Sequence, residues 1–285
     1  MYPEDQAQGP AEPSYDYPGS GLKGKITRNL EGLIPLILLI IIAAFLAHRF
    51  GFVQLPFLGA RPPMQALLIG EPSLDFLSML DQDRELVYVR IRDAAALDIA
   101  PSEQLAQYDL LILDQSHSSN KAVSRQFGEA VENYVRTGGK FILIADSGIY
   151  RSGGIFGTGR AVDVIGWQAT FGDIVPVECD RGLGEVPTCA QAITVQGRIY
   201  RQDFDHPIME GIEVSPAHPA IPPYNLITFR VKPTGNQIAF IRHAVTTSFF
   251  PAIVEKRLII GKSIYFNYDP ALTPGIWQNT LEYMR

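Results

Sequence analysis

The sequence predicts an α/β domain on a mostly parallel sheet flanked by helices, preceded by one N-terminal transmembrane helix. Three observations predict it. Leu110-Leu111-Ile112-Leu113 and Phe141-Ile142-Leu143-Ile144 are apolar throughout, as strands buried on both faces are. Between them Val123, Phe127, Ala130, Val131, Tyr134 and Val135 recur at helical spacing, and Gly138-Gly139 ends the segment. Strand, helix and strand of this kind form a βαβ unit, whose crossover is right-handed. The third observation is the uninterrupted apolar run from Leu33 to Ala47, close to what a bilayer core requires.

At 285 residues the chain can bury one sizeable core and carry extra segments. A formal net charge of −6 with no Lys/Arg run argues against a nucleic-acid partner, which needs a basic surface to meet phosphate. No internal repeat and no cofactor motif is evident.

In chain order, residues 1–28 read as a disordered tail, with Pro3, Pro10, Pro13 and Pro18 and hardly an aliphatic side chain,. Residues 29–53 read as the transmembrane helix. Pro35 falls in its first turn, where a missing N–H costs little, and His48 and Arg49 can snorkel toward headgroups. A cleaved signal peptide is the rival reading. Lys23, Lys25 and Arg28 before the span, against Arg49 and Arg61 after it, put the N-terminus in the cytoplasm and the rest outside. Residues 54–63, with Pro56, Gly59, Pro62 and Pro63, form a stiff linker, and residues 64–285 form the domain.

Within the domain, strands are expected at 65–70, 86–91, 108–114 and 140–146, with helices at 73–81, about 101–107 and through Val123–Val135. A helix is expected around 161–171. Alternation suggests strands at 192–200 and 236–241, and 251–254 and 262–269 read as further strands. Thr273 reads as the N-cap of a final helix with Pro274 at its first position, burying Ile276, Trp277, Thr280 and Leu281. Cys179 and Cys189 are the chain's two cysteines, flanking a polar loop with Gly182, Gly184 and Pro187. They can pair as a disulfide in an oxidising compartment or stay as two thiols. No further Cys or His pair stands at zinc spacing.

Both strands of the central unit end in Asp, so Asp114 and Asp146 are expected on one edge of the sheet, the edge where open α/β sheets bind ligands. His117, Ser147 and Asp269 join them there as candidate ligand-binding residues. Two carboxylates, an imidazole and a hydroxyl can make an acid/base pair, or a metal site from Asp114, His117 and Asp146. Equally, Asp at a strand end forms turns and caps helices. Ser147 follows a buried strand and precedes Gly148 as a nucleophile would, but Ala145-Asp146-Ser147-Gly148-Ile149 lacks the outer glycines of Gly-x-Ser-x-Gly. Gly154 to Ala161 has phosphate-loop glycines without the Lys and Ser/Thr that hold phosphate and magnesium, and reads as a loop over the sheet edge. Trp167, Tyr150 and Phe156 offer a third possibility, an aromatic edge for carbohydrate.

Asp205-His206-Pro207-Ile208-Met209-Glu210-Gly211-Ile212 is more distinctive. With Pro251-Ala-Ile-Val, Gly261 to Pro270 and Trp277-Gln-Asn-Thr-Leu, it resembles the class I glutamine-amidotransferase-like superfamily, and within it the branches without amidotransferase activity. The resemblance runs from Met64 to Arg285. It implies a flavodoxin-like sheet flanked by helices. Catalytic members carry a cysteine on the elbow after a central strand and a His-x-Glu pair near the end. Here the elbow reads Asp146-Ser147-Gly148, and His206, His218 and His243 are each followed by residues that break the pair. Glutamine hydrolysis through a thiolate is therefore unsupported. The expectation is a membrane-anchored, extracytoplasmic domain lacking the triad, which binds or scaffolds within a membrane or cell-surface complex. The alternatives are a hydrolase using Ser147 with Asp146 and His206 or a metal, and a carbohydrate-binding module.

Overall fold

The protein is described here from a computed structural model that covers residues 33–45, 62–151, 166–180 and 188–285. The chain divides after Ala60 into two units. In the first, the described residues form one helix, α1 (33–45). Among the described residues no helix is long and apolar enough to cross a membrane. The rest of the expected span, the tail, most of the linker and the Gly154 loop lie outside the described residues.

The second unit, Arg61–Arg285, is organised around one mixed sheet. Its strands in chain order begin with β1 (Met64–Ile69), β2 (Val87–Arg92), β3 (Leu110–Leu113) and β5 (Lys140–Ile144). β8 (Ile193–Arg201), β9 (Val214–Ser215) and β10 (Tyr224–Thr228) follow, then β12 (Asn236–His243), β13 (Phe249–Arg257) and β14 (Lys262–Phe266). Short pairs lie beside it: β4 (Ala122–Val123) with β6 (Tyr150–Arg151), and β7 (Val177–Cys179) with β11 (Val231–Pro233). The helices are α2 (Leu74–Gln82), α3 (Pro101–Leu105), α4 (Arg125–Arg136), α5 (Trp167–Phe171) and α6 (Pro274–Met284).

The parallel strands lie side by side as β2-β1-β3-β5-β14, one of the common orders of doubly wound sheets. The expectation of a mostly parallel sheet holds for this part. Beyond β14 the sheet continues antiparallel through β13, β12, β8 and β10. That wing is longer than the alternation at 192–200 and 236–241 suggested, and β7, β10 and β11 were not anticipated. Side chains of adjacent residues in a strand face opposite sides, and Phe266 pairs with Ile144 in register. Phe266, beside Trp277 of α6, therefore faces one side, and Phe141, beside Phe171 of α5, the other. Both faces are thus covered. Phe76 of α2 meets Trp277 edge-on at 4.8 Å, tying the two helices of one layer together.

Local chemistry explains the helix starts. Ser73 and Ser124 accept N–H bonds from Phe76 and Phe127 at 3.1 Å each, capping α2 and α4 as Ser does at about 1 kcal/mol apiece. Thr273 precedes α6 but its hydroxyl does not cap it. It is drawn instead to the buried Tyr268 hydroxyl at 3.0 Å. Of the expected helix at 161–171, the described part is Trp167–Phe171. Cys179 and Cys189 are bonded, with Cα atoms 5.1 Å apart.

Candidate functional site

Asp114 and Asp146 leave adjacent parallel strands, since Leu113 pairs with Leu143, and so they share the carboxyl edge as the sequence predicts. Between β1 and β3 the chain reverses its direction of travel across the sheet, which makes this the switch point,. Gly70 lies there at φ +110°, and a Cβ on it would come within 2.3 Å of the Asp114 carbonyl. Only glycine permits so close a backbone approach.

The residues on this edge are mostly committed to one another. Asp114 is 1% exposed and accepts the Ser116 N–H at 2.9 Å. Burial pushes its carboxyl up to about 6, helped by the Asp269 charge and opposed by the Ser116 hydrogen bonds and His117,. Gln115, also buried, is held from both sides: its N–H donates to Ser147 Oγ at 2.7 Å, and its Oε1 accepts the Gly148 N–H at 2.8 Å. Asp146 is paired with Lys121, whose Nζ lies 2.5 and 2.6 Å from the two carboxylate oxygens. Ser147 is wholly buried, and its carbonyl accepts the Trp167 Nε1–H at 2.8 Å.

Ala145 follows β5 directly and has φ 54°, a conformation that costs a residue with a Cβ of order 1 kcal/mol or more. Its N–H is held by the Phe266 carbonyl at 2.7 Å. The strained position of the strand-to-turn elbow is therefore taken by a methyl side chain.

The remaining candidates fall into place around this. His117 is exposed, and its backbone N–H donates to the Glu71 carbonyl at 3.1 Å. Asp269 caps the turn Pro270–Leu272 by accepting the Ala271 N–H at 2.9 Å. Asp114, His117 and Asp146 do not converge on a metal: among the described residues no group of three or more His, Cys, Asp or Glu could hold an ion. The ammonium of Lys121 stands against Asp146 instead.

His206 is not part of this site. Its Nε2 lies 3.2 Å from Glu255 Oε2, its Nδ1 accepts the Ile208 N–H at 3.3 Å, and its ring packs edge-on against Tyr283. Tyr283 in turn sits beneath the Lys262 ammonium, 3.9 Å from the ring centre. Lys262 opens β14, so this cluster belongs to the amino end of the parallel strands, whereas Ser147 lies beyond their carboxyl ends. Ser147, Asp146 and His206 form no triad. Trp167 is a core residue at 1% exposure, packed 5.5 Å from Tyr265, and is no platform for a sugar. Tyr150 is half-buried, and Phe156 lies outside the described residues.

Lys121 and Gln115 are the site residues that sequence reasoning missed. Lys121 stands 25 residues from its partner, and nothing local marks it. A glutamine directly after a buried strand's Asp was the one available hint for Gln115.

No protein-family model matches this chain, and no curated protein matches it. Solved structures do. The cold-adapted β-galactosidase from Rahnella sp. R3 is similar over 78% of this chain and 31% of its own, at 14% identity and TM-score 0.50. A β-galactosidase from Bacillus circulans sp. alkalophilus is similar over 79% and 32%, at 15% identity and TM-score 0.48. A GMP synthase component from Thermoplasma acidophilum is similar over 78% and 94%, at 11% identity and TM-score 0.35. The chain spans about a third of the length of the galactosidases it matches. At such identities the Rahnella likeness speaks for the fold alone, and the two more distant ones add nothing to it.

Proposed function

We propose that this chain is a membrane-anchored, extracytoplasmic domain of the amidotransferase-like, flavodoxin-like kind that binds or scaffolds rather than catalyses, as one component of a membrane or cell-surface complex. The observation that carries this reading is Ala145. An elbow nucleophile must sit on the strained residue that follows the central strand, and it must bear a hydroxyl or thiol. Ala145 holds that conformation without either group. The next hydroxyl along the chain, on Ser147, is buried and engaged by Gln115, and the adjacent carboxylate is paired with Lys121. The anchor is supported by the Leu33–Ala47 run and its basic N-terminal flank, and the extracytoplasmic side by the Cys179–Cys189 bond,.

The test is a panel of ester, amide and glycoside substrates offered to the purified full-length chain. The expected result is no turnover above buffer. Hydrolysis that disappears in Ser147→Ala or Asp146→Asn would overturn the proposal.

A hydrolase is the second reading, and Asp114 is the observation that favours it. A carboxyl pushed up to about 6 at the switch point of the sheet keeps a protonated fraction near neutrality and can serve as a general acid. Activity abolished by Asp114→Asn, with the fold intact, would select this reading.

A further inference from the structure

The hairpin joining β13 to β14 has a composition that folding does not ask for. The Leu258 N–H donates to the Gly261 carbonyl at 2.9 Å, so Ile259 and Ile260 fill the two central places of a tight turn. Those places are ordinarily taken by Gly, Asn or Asp. Ile259 is fully exposed at 102% and Ile260 is 66% exposed. A Cβ placed on Gly138 would meet Ile260 at 3.7–3.9 Å, so Ile260 lies beside the Gly138 turn. Around this apolar tip, Lys256-Arg257-Leu258-Ile259-Ile260-Gly261-Lys262 carries three cations and no carboxylate, in a chain with more acidic than basic residues. The neighbouring Glu255 is buried and engaged by His206, Tyr283 and Arg257.

The tip is also firmly seated. A Cβ on Gly261 would fall 1.8 Å from the Val135 carbonyl, so the turn rests directly on the last turn of α4. Its direction is set by register. Lys262 pairs with Lys140, the first residue of β5, which puts the tip at the amino edge of the parallel strands. Met64 opens β1 at that same edge. The polypeptide therefore enters this unit on the edge from which the two isoleucines project, and Asp114 and Asp146 lie at the other.

We propose that Ile259 and Ile260 form a wedge that dips into the interfacial layer of an anionic phospholipid bilayer, with Lys256 meeting the headgroups. Exposed aliphatic side chains flanked by cations suit such an interface, because burial of the apolar tip and attraction to anionic lipid act together. The proposal rests on the membrane-anchor reading. It adds an orientation, with the amino edge of the sheet toward lipid and the Asp114–Asp146 edge facing away.

The test uses the full-length chain reconstituted into phosphatidylcholine–phosphatidylglycerol vesicles, carrying Ile259→Trp. The two native tryptophans, Trp167 and Trp277, are 1% and 0% exposed, which leaves the introduced indole as the one that lipid can reach. The expected result is a blue-shifted emission quenched by lipids brominated along their acyl chains. The same substitution at exposed Ile227 on β10 should remain unquenched. Removing phosphatidylglycerol should weaken the quenching. Vesicle flotation reads the anchor separately. A chain that floats while its introduced indole stays unquenched overturns the wedge and leaves the anchor standing; a chain that does not float overturns both. A blue shift without bromine quenching, accompanied by a doubled mass, makes the tip an interface between copies of the chain and likewise overturns the wedge.

Discussion

Lys121 Nζ bridges both carboxylate oxygens of Asp146 at 2.5 and 2.6 Å, with side-chain exposures of 19% and 10%. The pair joins the loop before α4 to the elbow after β5, and it decides what the elbow can do. A carboxylate gripped in this way has both oxygens engaged and is not free to take a metal.

Truncating Lys121 should therefore cost stability. Lys121→Met leaves a nearly buried carboxylate without its counter-charge, at roughly 2–3 kcal/mol. The double variant Lys121→Met/Asp146→Asn should recover part of that loss, because it removes the uncompensated charge. Urea unfolding of the two single variants and the double variant gives the coupling directly.

Asp114 should make stability depend on pH in the direction opposite to most carboxylates. Its folded-state value is about 6, whereas in the unfolded chain it titrates at about 4. Between those values the unfolded state binds fewer protons than the folded one, so this contribution is fully present below about pH 4 and is lost as pH rises through about 6. The loss is on the order of 2–3 kcal/mol. Asp114→Asn should remove that slope, which denaturant midpoints of the two proteins between about pH 4 and 7 would report.

Glu255 should act with the other sign. Burial opposes its ionisation, but His206, Tyr283 and Arg257 together hold its carboxyl below the usual glutamate range,. Its contribution is present above the unfolded value and is lost as pH falls through the folded one. Glu255→Ala should cost roughly 3–5 kcal/mol, because three donors around a buried position lose their acceptor. Tyr283→Phe should cost about 1 kcal/mol. Thermal melts at neutral pH would separate the two.

The Cys179–Cys189 bond closes a short loop, with a separation of 10 residues. Removing it with Cys179→Ser/Cys189→Ser should cost roughly 2–3 kcal/mol by loop-closure entropy. Reduction of the wild-type chain should lower its unfolding midpoint by a similar amount.

Trp167→Ala should destabilise by roughly 3–5 kcal/mol, as large-to-small changes in a packed core do. The side chain is buried against Tyr265, and its Nε1–H is held by Ser147. A glycan-binding role would instead predict lost sugar affinity at unchanged stability, so calorimetric melting distinguishes the two.

The sequence by itself determined the parallel half of this protein. Runs such as Leu110–Leu113 and Phe141–Ile144 are apolar at every position, because strands covered on both faces must be, and parallel neighbours then carry Asp114 and Asp146 to one edge. What those residues do there was decided by tertiary structure. Lys121, Gln115 and Trp167 reach Asp146 and Ser147 from distant parts of the chain, and His206 finds Glu255 49 residues away. In the antiparallel wing the strands near 192–200, 236–241 and 251–254 were legible, but a short strand such as Tyr224–Thr228 was not, since it acquires its identity only from the ladder it joins. Periodicity reports which face of an element is buried, and it is local. Pairing of charges and hydrogen bonds is a matter of distance in space, and only the folded chain sets that distance.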